Sequence, residues 1–192
     1  MTETELIDLL KKRDRAAFKQ IVETWQGMVY NTALSILQNA EDAEDVTQEA
    51  FIQAFESVAK FKGESKFSTW LYRITVSKAM DHIRRKKRKK RFAFIESLYG
   101  TNDKMVVDPP DFFHPGVSME RKENAAILFK AVEQLPPNQK TAFVLNKIEG
   151  LSYNEIGGVM KISDSAVDAL LQRAKGNLKK ILKDYFAMMN KG

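Results

Sequence analysis

Apolar residues recur at spacings of three and four along most of this chain, and no stretch sustains apolar–polar alternation. That rhythm fits the 3.6-residue turn of an α-helix and not the two-residue repeat of a strand, which restricts the fold to packed helices. Thr2 and Glu5 have the spacing of a capping box for a first helix. Ile21, Val22, Trp25, Val29, Ala33 and Leu37 fall on one stripe of a second. Asn39 suits the N-cap of a third, whose apolar face is Ala43, Val46, Ala50, Phe51, Ala54, Phe55 and Val58. Lys62, Gly63 and Glu64 interrupt the pattern. A fourth helix is predicted from about Ser68 into a basic run, with Leu71, Ile74 and Ile83 turned inward.

The pattern fades from Phe92 to Ser118, where Gly100, Asn102, Asp103, Asp108, Pro109, Pro110, Pro115 and Gly116 cluster. Turn and breaker residues at this density mark a linker. Phe112 and Phe113 within it leave two readings open, a small local cluster or a docking segment. Helical periodicity resumes at Met119. Pro136 and Pro137 suit a helix start, and Ser152 with Glu155 forms a second capping box. A short helix opens at Leu151, a turn follows at Lys161-Ile162-Ser163, and a long helix carries Val167, Leu170, Leu171, Ala174, Leu178, Ile181 and Leu182 on one side. Gly157 and Gly158 weaken the short helix. Short helix, tight turn and longer helix make a helix-turn-helix. The expected architecture is all-α: two small helical domains, residues 1–91 and 119–192, joined by a flexible linker at 92–118.

Each domain would bury only a modest core and be marginal alone. With no cysteine among the 192 residues, disulfides and thiolate metal sites are excluded, in keeping with a reducing cytoplasm. No segment reaches the roughly 20 apolar residues that cross a bilayer, and no signal peptide is visible, so a cytoplasmic protein without direct membrane insertion is expected. The net charge of +6 points to a polyanion, nucleic acid first. Its distribution says more: Arg84–Arg91 is unbroken basic sequence and Glu41–Glu49 is acidic, which suggests that the two runs face different partners.

Three segments could carry chemistry. In the acidic helix, the dipole accounts for Glu41, Asp42 and Glu44 in the first turn. Glu41/Asp45 and Asp45/Glu49 are like-charge pairs four apart, each costing a few tenths of a kcal/mol. A solvated polar face and a docking face for a basic partner both fit. The segment Phe61–Ile74 and the helix after it interleave rings with cations, the mixture that holds single-stranded DNA. Phe67, Trp70 and Leu71 also read as core, a reading that spacing favours for Trp70 and Leu71, while Arg73, Ser77, Asp81, Arg84 and Arg85 project from the other side. In the long C-terminal helix, Ser163, Asp164, Ser165, Asp168, Ala169, Gln172 and Lys175 face outward, near the end that meets base edges in a major groove. Arg173, Lys175, Lys179 and Lys180 suit phosphates.

Taken in this order, the segments resemble the extracytoplasmic-function (ECF) sigma factors of RNA polymerase. The resemblance rests on Asp42–Phe55 (DAEDVTQEAFIQAF), Phe61–Ile74 (FKGESKFSTWLYRI) with Asp81–Arg85, Leu135–Gly157 and Ala166–Leu178. It implies an alternative sigma factor that binds polymerase core and directs promoter-specific initiation. Asp42, Asp45, Gln48, Glu49 and Gln53 would face the clamp helices of the largest polymerase subunit. Phe67, Ser68, Thr69, Trp70, Arg73, Ser77, Arg84 and Arg85 would serve the −10 element, bound single-stranded through an extruded base. Ser163, Ser165, Asp168, Ala169, Gln172, Arg173 and Lys175 would meet the −35 duplex, and the linker would thread toward the RNA exit channel. An anti-sigma protein is a further implied partner; no cofactor or metal is implied.

Two departures bear on specificity. Ser77 stands where the family usually has Asn. The usual Thr-Val-Lys-Ser-Arg-Leu of the recognition helix is Ala166-Val-Asp-Ala-Leu-Leu171 here, which weakens phosphate affinity and directs Ala169 and Leu170 toward thymine methyls. A stand-alone helix-turn-helix regulator is the alternative, but an operator binder needs neither the acidic helix nor the ring-and-cation segment. An enzyme would need a nucleophile or metal set, and His82 and His114 lie far apart with no cysteine and no phosphate-binding glycine loop.

Overall fold

The structure, a computed structural model, describes residues 2–99 and 122–189, and these contain helices and turns but no strand. The N-terminal unit holds α1 (Glu3–Lys11), α2 (Arg15–Leu37), α3 (Ala40–Ser57), a 3-10 turn (Val58–Lys60) and α4 (Phe67–Tyr99). The C-terminal unit holds α5 (Lys122–Glu133), α6 (Pro137–Phe143), a π turn (Val144–Ile148), α7 (Tyr153–Met160) and α8 (Asp164–Met189). Helix α4 runs on to Tyr99, past the end expected near residue 91. The rest of the expected linker, with Phe112 and Phe113, lies outside the described residues.

Helix starts follow local chemistry. Thr2 and Glu5 form a reciprocal capping box, Asp14 caps α2 through Ala17 N–H, and Asn39 caps α3 through Asp42 N–H at 2.8 Å. Pro137 occupies the first position of α6. Ser152 Oγ accepts from Glu155 N–H while the Glu155 carboxylate accepts from Ser152 N–H. Ser152→Ala removes one half of that box and should cost the C-terminal unit about 1 kcal/mol, read as a lower melting temperature with unchanged helix content.

The turn between α7 and α8 depends on Gly157. A Cβ there would stand 2.8 Å from the Ile162 carbonyl oxygen, so the backbone could not close. Lys161 takes the left-handed conformation that ends α7, and Ile162 N–H donates back to Gly157 O at 3.1 Å. Gly157 therefore permits the helix-turn-helix that its helix propensity alone would weaken.

The core of the N-terminal unit is α1, α2, α3 and the start of α4 around Leu10, Ile21, Phe51 and Phe67. The C-terminal unit has its own cluster of Val132, Leu135, Ala174 and Leu178. A third buried cluster crosses between the units: Tyr72, Val76 and Ala79 of α4 belong to it together with Leu145, Ile156 and Val159. The two small domains thus share apolar burial that neither would have alone.

Candidate nucleic-acid interface

The acidic and basic runs meet each other. Helices α3 and α4 pack side by side with opposite chain directions, so Asp42 lies by Lys86 and Glu49 by Lys78. Asp42 accepts from Lys86 Nζ at 2.6 Å and approaches His82 Nε2 at 3.0 Å. Glu49 accepts from Arg85 at 3.0 Å and lies 3.6 Å from Lys78. The two runs, expected to face different partners, thus face each other along part of their length. Asp42 and Glu49 are seven apart and so share one line along α3, and residues 78, 82, 85 and 86 form the facing line of α4. Such half-exposed pairs contribute about 0–1 kcal/mol each. His82, expected as a surface residue, is largely covered at this seam.

The outer face of α3 stays open. Asp45 and Gln48 are exposed, Gln53 is half-buried, and Ile52 is 57% exposed among them. Ile52 was not singled out in the sequence. The signal was present, because it lies outside the stripe formed by Ala50, Phe51 and Ala54.

On the ring-and-cation segment, Phe67 is a core residue. It is 0% exposed, with ring centroids of Trp25 at 5.1 Å, Phe61 at 5.6 Å and Trp70 at 5.3 Å. Thr69 is 7% exposed. Neither presents itself to a base in this conformation. Phe67 lies four residues before Leu71, which the periodicity already turned inward, so its phase dictates burial. Trp70 and Ser68 are half-buried, and Ser77, Arg84 and Arg85 are exposed. Arg84 is engaged by Asp81 and Arg85 by Glu49. Arg73 Nε donates to Gly158 O of α7 at 2.9 Å. Lys60, Lys62, Lys66, Trp70, Arg73 and Lys161 border a cleft of about 1020 Å³ between the units.

Sequence reasoning missed the groups that join the units. Tyr72 donates from its hydroxyl to Glu149 Oε2 at 2.8 Å, and Lys66 lies 3.6 Å from Glu155. Burial raises the Glu149 carboxyl above the usual carboxylate range against the opposing bonds from Tyr72 and Thr32, and burial, then the Glu149 charge, raises the Tyr72 hydroxyl well above its ordinary value. No local signal marks these residues, since 77 positions separate Tyr72 from Glu149.

The recognition helix presents Ser163, Ser165, Asp168, Gln172, Arg173 and Lys175 to solvent, with Ala169 half-buried. Ser163 Oγ accepts from Ala166 N–H at 3.3 Å and lies 3.0 Å from Ser165 Oγ. Leu170 departs from expectation: it packs against the shared core beside Val167 and Leu171 and is not an outward thymine contact. Among the described residues no cluster of His, Asp or Glu could hold a metal, and no helix is long and apolar enough to cross a membrane.

An all-helical protein with a helix-turn-helix and a separate cation-lined face belongs to the DNA-binding transcription proteins. Residues 21–89 match sigma-70 region 2 and residues 125–178 match sigma-70 region 4. The chain is 32% identical over 180 residues to the ECF RNA polymerase sigma factor SigW of Bacillus subtilis, covering 93% of this chain and 95% of that one. It is 30% identical over 181 residues to the RNA polymerase sigma-H factor of Pseudomonas aeruginosa, covering 93% and 92%. In fold it is similar to the sigma factor RpoE of Bartonella quintana, solved with the anti-sigma factor NepR (TM-score 0.63, 20% identity, 86% of this chain and 96% of that one). The chain belongs to the ECF sigma factors of the sigma-70 family, the alternative sigma factors that direct transcription initiation.

Proposed function

We propose that the two units divide the work of initiation, residues 1–91 binding core polymerase and the −10 element and residues 119–192 binding the −35 element. The observation that carries this is the outer face of α3, where exposed Ile52 sits among Asp45, Gln48 and Gln53. An apolar residue ringed by polar ones is the pattern of a protein-docking anchor, and a stand-alone operator binder has no use for it. Asp42 and Glu49 hold the basic part of α4 in place beneath that face and meet polymerase from its edge.

Trp70, Ser68, Arg73, Ser77, Arg84 and Arg85 serve the opened −10 strand, with the buried Phe67 supporting Trp70 from below. Ser163, Ser165, Asp168, Ala169, Gln172, Arg173 and Lys175 serve the −35 duplex. The protein has no catalytic step of its own, acts in the cytoplasm beside the chromosome, and is a target for an anti-sigma protein of the kind that binds its structural neighbour. Run-off transcription on genomic fragments tests the reading. Core polymerase with this protein should start at discrete sites that core alone ignores, and specific duplex should bind tightly only when core is present. Failure to initiate anywhere in its own genome would defeat it.

A further inference from the structure

We propose that Arg13, in the turn between α1 and α2, is a positioning residue for polymerase docking: it holds the end of α3 that carries Ile52. This rests on the assignment of the outer face of α3 to core polymerase. Arg13 Nη1 donates to the Phe55 carbonyl oxygen at 2.8 Å, and its guanidinium lies over the Phe55 ring, 4.7 Å from the centroid. Phe18, near the start of α2, packs against the same ring at 4.9 Å between centroids. One side chain of a turn thus grips both a backbone atom and a ring of a helix 42 positions away.

The grip falls where α3 has no closure of its own. Helix α3 ends at Ser57, so the Phe55 carbonyl belongs to its last turn, whose oxygens lack partners within a helix. That turn holds no cation, and the chain runs on through Val58 in the right-handed conformation, without the left-handed residue that closes many helices. A guanidinium supplied from α1–α2 satisfies one oxygen and meets the negative end of the helix dipole. Ile52 stands three positions before Phe55, one turn away on the same side. At 57% exposed it is held by its helix more than by its neighbours. An anchor on an ordered helix loses less freedom on binding than one on a fraying end.

The backbone at Arg13 supports the same role. Its φ is 64°, the left-handed conformation that strains a side chain and suits glycine. Glycine would make this turn with less strain but could not reach Phe55. The chain therefore carries a side chain where the backbone favours none, as strained positions with a function do.

Core polymerase affinity of full-length variants, measured well below their melting transitions, tests this. Arg13→Gly relieves the turn and removes the grip. It should melt within a few degrees of wild type and bind core about tenfold more weakly, as expected for one lost hydrogen bond from a charged group. Arg13→Ala removes the same contacts and keeps the strained φ, so it should melt below Arg13→Gly and lose the same affinity. A merely structural residue would instead give affinity losses that follow melting temperature. In an Ile52→Ala background, Arg13→Gly should weaken binding by no more than about twofold further, because the two residues act through one contact.

Arg13→Gly that binds core as the wild type does, or that fails to fold, would overturn the proposal. So would affinity losses that add in full when Arg13→Gly and Ile52→Ala are combined. Ile52→Ala with normal core binding would defeat the docking reading of α3 and this inference with it. A weakened Ile52→Ala beside an unimpaired Arg13→Gly defeats this inference alone.

Discussion

Phe67→Ala should unfold the N-terminal unit. Deleting a buried Phe ring costs about 3–5 kcal/mol, and native domains have a total of only about 5–15 kcal/mol. Here the loss falls at the upper end, because three other rings lean on this one. Trp25, Phe61 and Trp70 each have a centroid within 5.6 Å of Phe67, and such pairs add about 0.5–1.5 kcal/mol beyond area burial. The expected result is loss of the cooperative thermal transition of the N-terminal unit at 37 °C, or a large drop in its midpoint. Ser77→Ala, on the exposed side of the same helix, should melt within a degree or two of wild type. A Phe67→Ala protein with wild-type stability and defective promoter opening would mean that the ring faces DNA after all. The variant therefore separates a base contact from the support beneath one, which an activity assay alone would confuse.

What could be read from the sequence was local. Caps at Thr2, Asn39 and Ser152 act within three residues, and the structure forms all three. The inward stripe of α3 and the helix-turn-helix were legible for the same reason. Phe67 was legible too, through its phase with Leu71, but its place in a motif that suggests base capture competed with that phase. Residues 42 and 86, 49 and 85, and 72 and 149 pair across 44, 36 and 77 positions. Periodicity tells which face of a helix is buried but not which helix covers it. The acidic and basic runs illustrate the gap: each was visible, and their mutual neutralisation was not. The π turn at Val144–Ile148 is a second case. Its wider bonding changes the phase of everything after it and carries no compositional cue, so the direction of Glu149 could not be read from spacing.

The seam between α3 and α4 also decides how polymerase docking should be tested. Reversing Glu49 would release Arg85 and Lys78 and disturb α4, so a binding defect would have two causes. Asp45 and Ile52 are cleaner. Both are exposed, they lie seven residues apart on one line of α3, and neither is part of the core. Asp45→Lys with Ile52→Glu replaces an acidic rim by a cation and an apolar anchor by a charge. A central interface anchor is typically worth about 2 kcal/mol or more, and Asp45→Lys sets a cation against a basic partner, which adds repulsion. The double variant should bind core polymerase at least about a hundredfold more weakly, while circular dichroism and melting stay at wild-type values. Salt should divide the two contributions. Asp45→Lys alone should hurt most at low ionic strength, where charge is least screened. Ile52→Glu should retain most of its defect at high salt, because burial of an apolar side chain is not screened. A folded double variant that co-purifies with core polymerase as the wild type does would remove α3 from the docking surface.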